Sequence, residues 1–413
     1  MTGTARSLRS RALDADATVV VVGASLAGLR ACESLRQSSF SGRIVLLGDE
    51  QHLPYDRPPL SKQYLAGQWD IDRIRLRPPE TVDALGLDLR LGARASGLDL
   101  AGGCVLLEDG TGVAFDGLVL ATGASARAWP RSVPSGVLTL RTIEDAVALR
   151  AALDEPGARL VVVGGGFLGL EVAATARARG VAVTVVEPLA MPLGRVLGPA
   201  VGGVVRALHE RHGVDMRTGT SVTGFVGDPQ VEGVRIGAGE MLPADVVVVA
   251  IGANPGTGWL DGSGIAVDDG VVCDSSLLVS PGVVTAGDVA RFTYGAESTP
   301  VRLEHWTNAA EQGAHAARTL LAGPGRAAPF APVPYVWSDQ YDVKIQVVGL
   351  PGPDDDVEVV DGSLESGKFV ACCGRDGRLV AAIGMGRPRQ LMAFRPLVAR
   401  GVSLAETVGR LQR

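Results

Sequence analysis

The chain has 413 residues, of which 46% are hydrophobic and 20% charged, with a formal net charge of -6. That length is more than one ordinary core holds, which sets two or three domains, and the acidic balance argues against nucleic acid as the main partner. No apolar run reaches the length of a membrane span, and the first sixteen residues, with Arg6, Arg9 and Arg11 but no apolar segment, read as a mobile tail rather than a secretory signal.

In chain order, Thr18–Val22 reads as a buried strand, Ala27–Gln37 as a helix and Arg43–Leu47 as a second strand, which makes a βαβ unit. Arg73, Arg75 and Arg77 alternate along an expected strand and so share one face. The run 117–123 reads as a buried strand ending in a glycine turn. A second βαβ unit follows at Arg159–Val163, Leu168–Arg179 and Ala182–Glu187, and the strand at 245–252 closes it as 117–123 closes the first. A short strand ends on Gly287-Asp288. The stretch 323–334, rich in Gly, Ala and Pro, reads as a linker. Beyond it, 335–348 and 357–385 alternate like antiparallel strands, and 390–413 ends in helix.

Each βαβ unit carries a glycine fingerprint where its first strand ends and its helix begins: Gly23-Ala24-Ser25-Leu26-Ala27-Gly28 and Gly164-Gly165-Gly166-Phe167-Leu168-Gly169. In such a turn the first glycine permits the bend, the second lets the backbone approach a pyrophosphate, and the third lets the helix pack close to the strand. The helix N-terminus then offers N–H groups to the phosphates. Two such motifs suggest two dinucleotides held face to face, the geometry for moving a hydride between them. The second fingerprint is complete, and Glu187 ends its second strand, 23 residues after Gly164. A carboxylate there binds the ribose hydroxyls and repels a 2′-phosphate. Residues 188–192 lack an arginine to welcome that phosphate, so NADH is favoured over NADPH. The first fingerprint has Ser25 at the middle glycine, and its acidic residue is Asp49 or Glu50.

The five cysteines are Cys32, Cys104, Cys273, Cys372 and Cys373, and no pair has the spacing of a redox disulfide. This usage suits a reducing cytoplasm. No metal site is read from the chain.

The segment GDEQHLPYDRPPLSK at 48–62 goes beyond a generic fingerprint. It resembles the signature of the FAD-dependent NADH:ferredoxin reductases that feed haem-thiolate monooxygenases and Rieske-type dioxygenases. The resemblance extends from about residue 17 over nearly the whole chain. It takes in ATGA at 121–124, LRTIEDA at 140–146, GGGFLGLEVAA at 164–174 and AGDVA at 286–290. EHWTNAAEQG at 304–313 and WSDQYDVKIQVVG at 337–349 complete it. It implies an α/β protein of glutathione-reductase-like fold, with two Rossmann-like dinucleotide-binding domains and a C-terminal α+β domain. The expected limits are 1–125 with 254–327 for the FAD domain, 126–253 for the NAD domain and 328–413 for the C-terminal domain.

Carried onto matching positions, the resemblance implies FAD contacts at Ala27, Asp49, Lys62, Ala95, Arg127, Asp288 and Trp306, with Arg57 a further candidate near the pyrophosphate. Gly23, Ser25 and Gly28 belong to the FAD fingerprint, and Gly164, Gly166, Gly169 and Glu187 to the NAD site. Lys62 is expected beside the isoalloxazine, ion-paired with Glu171. An ammonium there favours reduced, anionic flavin, and the paired carboxylate keeps the lysine in place.

The implied reaction passes a hydride from NADH to FAD N5 and then single electrons to an iron–sulfur ferredoxin, with the [2Fe–2S] type expected. Glutathione- and thioredoxin-type reductases send electrons through a cysteine pair beside the flavin, but neither 54–62 nor 168–179 contains a cysteine. Electrons must therefore leave the protein. Two rival readings remain open: a flavoprotein NADH oxidase or small-molecule acceptor reductase, and a signalling protein that keeps NADH and FAD as ligands. A basic docking patch for the ferredoxin is sought among Arg73, Arg75, Arg77, Arg302, Lys344, Arg387 and Arg389.

Overall fold

The computed structural model describes residues 13–14, 16–294 and 299–411. Arg6, Arg9 and Arg11, and the last two residues of the expected C-terminal helix, lie outside them. The described chain divides into two compact units: one of residues 13–14, 16–56, 74–125, 254–294 and 299–332, and one of residues 57–73, 126–253 and 333–411.

In the first unit, Thr18–Val22 pairs in parallel with Arg43–Leu47 on one side and Gly117–Leu120 on the other. Val283–Thr285 and Asp88–Arg90 extend the sheet in parallel, and Leu278–Ser280 adds an antiparallel edge. Both central faces are covered, which is why these strands are near-continuous runs of Val, Ile and Leu rather than alternating ones. The helix Leu26–Gln37 follows the first fingerprint. A core of Val20, Val45, Leu118, Leu120, Phe115 and Val283, all buried, fixes this strand order and so places the fingerprint turn at the carboxyl edge of the sheet.

The second unit repeats the scheme. Five parallel strands run in the order Asp215–Thr218, Ala182–Glu187, Arg159–Val163, Val246–Val249 and Val137–Leu138. The helix Phe167–Ala178 follows the second fingerprint. The helix Ile143–Asp154 starts on a capping box, with the Thr142 hydroxyl accepting from the Asp145 N–H and the Asp145 carboxylate accepting in return. The same unit holds the five-stranded antiparallel sheet of residues 335–385, backed by Leu391, Phe394 and Leu404 from the C-terminal helices. Cys372 and Cys373 are buried in one of its strands.

One expected element is wrong. Arg73 and Arg75 do not alternate along a strand: Ile71–Ile74 is a short helix, and Arg75 makes a single antiparallel bridge to Tyr55. The Asp70 carboxylate accepts from the Arg73 N–H at 3.0 Å and turns the chain into that helix, and Pro78-Pro79 ends the segment. The three arginines therefore share no strand face. Among the described residues, no helix is long and apolar enough to cross a membrane.

Candidate functional site

Both fingerprint turns are built so that only glycine fits their first position. Gly23 has φ +118°, and a Cβ there sits 2.0 Å from the Ala121 carbonyl oxygen; Gly164 has φ +110°, with a Cβ 2.4 Å from the Ala250 oxygen. The third glycines pack as tightly, since a Cβ on Gly28 or Gly169 meets the carbonyl oxygen of Gly23 or Gly164 at 2.0 or 2.2 Å. At Gly166, by contrast, a Cβ faces open space. This middle position leaves room for a phosphate group to approach the N-terminus of Phe167–Ala178. Its counterpart Ser25 is the N-cap of Leu26–Gln37 and makes no side-chain capping bond. Ala27 is buried in the first turn of that helix.

Glu187 ends its strand buried, with one carboxylate oxygen turned to the glycine loop and the other to the turn that follows its own strand. Oε2 accepts from the Gly165 N–H at 2.7 Å and Oε1 from the Leu189 N–H at 2.8 Å. A carboxylate has about four lone-pair sites, so two stay open for ribose hydroxyls. Asp49 is exposed at the matching strand end of the first unit, while the neighbouring Glu50 accepts from the Tyr55 hydroxyl.

The helix Trp306–Ala322 shows polar atoms awaiting a partner. Gln312 is fully buried; its Oε1 accepts from the Gly287 N–H at 2.8 Å, whereas its Nε2 has no protein partner. His305 Nδ1 and Asn308 Oδ1, nearby on the same helix start, are likewise buried without one. Unsatisfied buried polar atoms are costly, and a bound polar cofactor resolves that cost. Trp306 is the first residue of this helix, with its indole N–H donating to Asp56 Oδ1 at 2.6 Å. Asp288 lies in the one-turn helix Gly287–Val289, partly exposed. Ala95 starts the strand Ala95–Asp99.

In the second unit, Lys62 Nζ meets Glu171 Oε2 at 2.6 Å, with the two side chains 11% and 7% exposed. Glu171 sits on the inner face of Phe167–Ala178, and Lys62 follows the one-turn helix Pro58–Ser61. The carboxylate is further held by Ser61 Oγ, donating to Oε2 at 2.6 Å, and by Ser338 Oγ, donating to Oε1 at 2.7 Å. Arg57 donates to the Arg141 carbonyl at 2.6 Å, and Arg127 is exposed with a long contact to the Ala253 carbonyl at 3.4 Å. Ser61 and Ser338 lie within the motifs at 48–62 and 337–349, and nothing in the sequence alone marks them for this role. Ser338 and Gln340 stand two residues apart on one face of a strand, both fully buried.

The cations sought as a docking patch mostly face their own carboxylates. Arg77 pairs with Glu33 at 2.7 Å, Lys344 with Asp339 at 2.6 Å and Arg387 with Asp361 at 3.2 Å. Arg302 bridges Glu304 and Asp269. Arg73 lies over the Trp69 ring, and Arg389 is exposed on Pro388–Met392.

The comparisons with known proteins agree with this architecture. Residues 17–313 match the pyridine nucleotide-disulphide oxidoreductase family, and residues 335–408 match the reductase C-terminal family. A probable ferredoxin reductase of Castellaniella defragrans is 37% identical, covering 94% of this chain and 95% of its own. The rhodocoxin reductase of Rhodococcus erythropolis is 38% identical, covering 94% and 90%. Among solved structures, the reductase in the covalent putidaredoxin reductase–putidaredoxin complex superposes with a TM-score of 0.90 at 35% identity over 96% of each chain. The chain belongs to the pyridine nucleotide-disulphide oxidoreductases and, among them, to the ferredoxin reductases.

Proposed function

We propose that this ferredoxin reductase uses FAD and NADH, with FAD on residues 1–125 and 254–327, NADH on 126–253, and residues 328–413 as the third domain. The observation that carries this is the pair of glycine-only turns, the second closed by a buried carboxylate. Bound there, FAD would supply hydride acceptance from NADH and one-electron release to an acceptor.

The protein's own part is binding, orientation and charge. The fingerprint turns at Gly23–Gly28 and Gly164–Gly169 present backbone N–H groups to phosphates. Gln312 Nε2 and the start of its helix offer buried polar atoms to the flavin. Glu187 reads the adenosine ribose and excludes a 2′-phosphate. Lys62, fixed by Glu171, places an ammonium where negative charge builds on reduction. No cysteine stands on Pro58–Ser61 or Phe167–Ala178, so electrons go outward to an iron–sulfur ferredoxin, as in the named relatives, rather than through a disulfide. The chain's five cysteines, all free, suit work in the cytoplasm.

The purified protein is expected to be yellow and to release FAD on denaturation. Under anaerobic conditions NADH should bleach its visible band faster than NADPH. A colourless protein that takes up no added FAD overturns the proposal.

A further inference from the structure

Glu171 is the end point of a chain of hydrogen bonds that runs away from Lys62 through the second unit. Ser338 Oγ donates to Glu171 Oε1 at 2.7 Å, Gln340 Nε2 donates to Ser338 Oγ at 3.1 Å, and Gln340 Oε1 meets His209 Nε2 at 2.9 Å. The Tyr341 hydroxyl meets His209 Nδ1 at 3.2 Å, and the His212 ring stacks on Tyr341 at 3.6 Å. Ser338, Gln340 and His209 are each 0% exposed.

The chemistry of the groups leaves one direction for this chain. An ionised carboxylate only accepts, so the single Ser338 proton goes to Glu171. Ser338 Oγ must then accept from the Gln340 NH2 group. The Gln340 oxygen therefore faces His209, whose Nε2 must carry the hydrogen. In the neutral imidazole Nδ1 is then an acceptor, and the Tyr341 hydroxyl fills it. Burial supports the neutral form by pushing His209 down to about 4. Every donor thus points towards Glu171. An amide can pass no proton along without becoming an imidic acid, so Gln340 makes this an orienting chain and not a proton wire.

We propose that Ser338, Gln340 and His209 are positioning residues for the Lys62–Glu171 pair, a one-way donor chain that holds the Glu171 carboxylate turned so that Oε2 faces Lys62. This rests on the reading that Lys62 and Glu171 serve the bound flavin. Ser61 holds Oε2 from the other side. With only Oε2 held, the carboxylate is free to rotate, and the ammonium loses its fixed place.

The test compares S338A, S338T, H209F, H209Q and K62M in flavin-loaded protein, by anaerobic stopped-flow reduction with NADH and by the visible flavin spectrum. Loss of a hydrogen bond to a charged group corresponds to a factor of about ten to a hundred. S338A should slow flavin reduction by that factor and shift the flavin band. S338T, which keeps the hydroxyl, should recover most of the rate. H209F should act in the same direction as S338A, and H209Q, whose amide can still donate to Gln340, should lie close to wild type. Separately, nitrogen-15 histidine NMR should show His209 as the neutral Nε2–H tautomer at pH 6. Slow reduction in K62M with normal rate and spectrum in both S338A and H209F overturns the proposal and leaves the site reading standing. Unchanged reduction in K62M removes the site reading and the proposal with it. An Nδ1–H tautomer overturns the direction of the chain whether or not flavin is bound.

Discussion

The Gly165 N–H donates to Glu187 Oε2 at 2.7 Å, from the turn that Glu187 is expected to serve as a reader of ribose. One carboxylate therefore shapes the glycine loop and, in the proposed function, also recognises its ligand. Glu187→Gln has a single acceptor oxygen for the two N–H groups of Gly165 and Leu189. It should cost about 1–3 kcal/mol of stability and raise KM for NADH about tenfold with a smaller change in kcat. Glu187→Arg should tip the kcat/KM ratio towards NADPH, mostly through lost NADH efficiency because the loop loses its anchor. Steady-state kinetics with both nucleotides check this; an unchanged ratio means that the ribose is read elsewhere.

The Lys62–Glu171 pair is buried, and removing one partner of such a pair strands the other. Lys62→Met and Glu171→Gln should each destabilise the protein by about 3 kcal/mol. The double variant should lose less than the sum, because it strands no charge. Urea unfolding of the three variants measures the coupling, and strict additivity contradicts it.

Gly23→Ala puts a methyl 2.0 Å from the Ala121 carbonyl in a backbone conformation that disfavours any side chain. The strain should be on the order of 3 kcal/mol or more. The expected preparation is pale, with a low flavin-to-protein absorbance ratio and a lower Tm. Normal flavin content in this variant rules out the turn as the phosphate site.

How much of this was legible in the sequence differs by level. Both βαβ units showed because Val19–Val22 and Val161–Val163 are apolar runs ending on glycines, a signal that belongs to the local chain. Lys62 and Glu171, 109 residues apart, could be paired only through family resemblance, since no local periodicity links them. Arg73 and Arg75 were misread because alternation looks the same in a strand and in a short turn of helix. The deciding signal was Asp70, whose side chain caps that turn. His209 and Gln340 carried no local signal, because their bond joins a helix to a strand 131 residues further on.

His209 also gives the protein a pH dependence. Its folded value is lowered to about 4, chiefly by burial, with the Gln340 bond opposing and His212 adding a smaller push. Below about pH 6.5 the unfolded chain takes up a proton that the folded chain refuses until about pH 4, so acid favours unfolding across that window. The loss approaches about 3 kcal/mol at its foot. Above pH 6.5 both states are neutral and the effect is absent. His209→Gln should flatten this part of the profile of Tm against pH; superimposable profiles contradict the assignment.

In the proposed function, electrons enter from NADH and leave to an iron–sulfur protein. The most direct measurement is NADH-driven reduction of cytochrome c with and without added [2Fe–2S] ferredoxin, with dioxygen consumption followed in parallel. Turnover should be slow without ferredoxin, the rate should rise and saturate with ferredoxin concentration, and little oxygen should be taken up. Rapid NADH oxidation by dioxygen, unaffected by any ferredoxin, would contradict it.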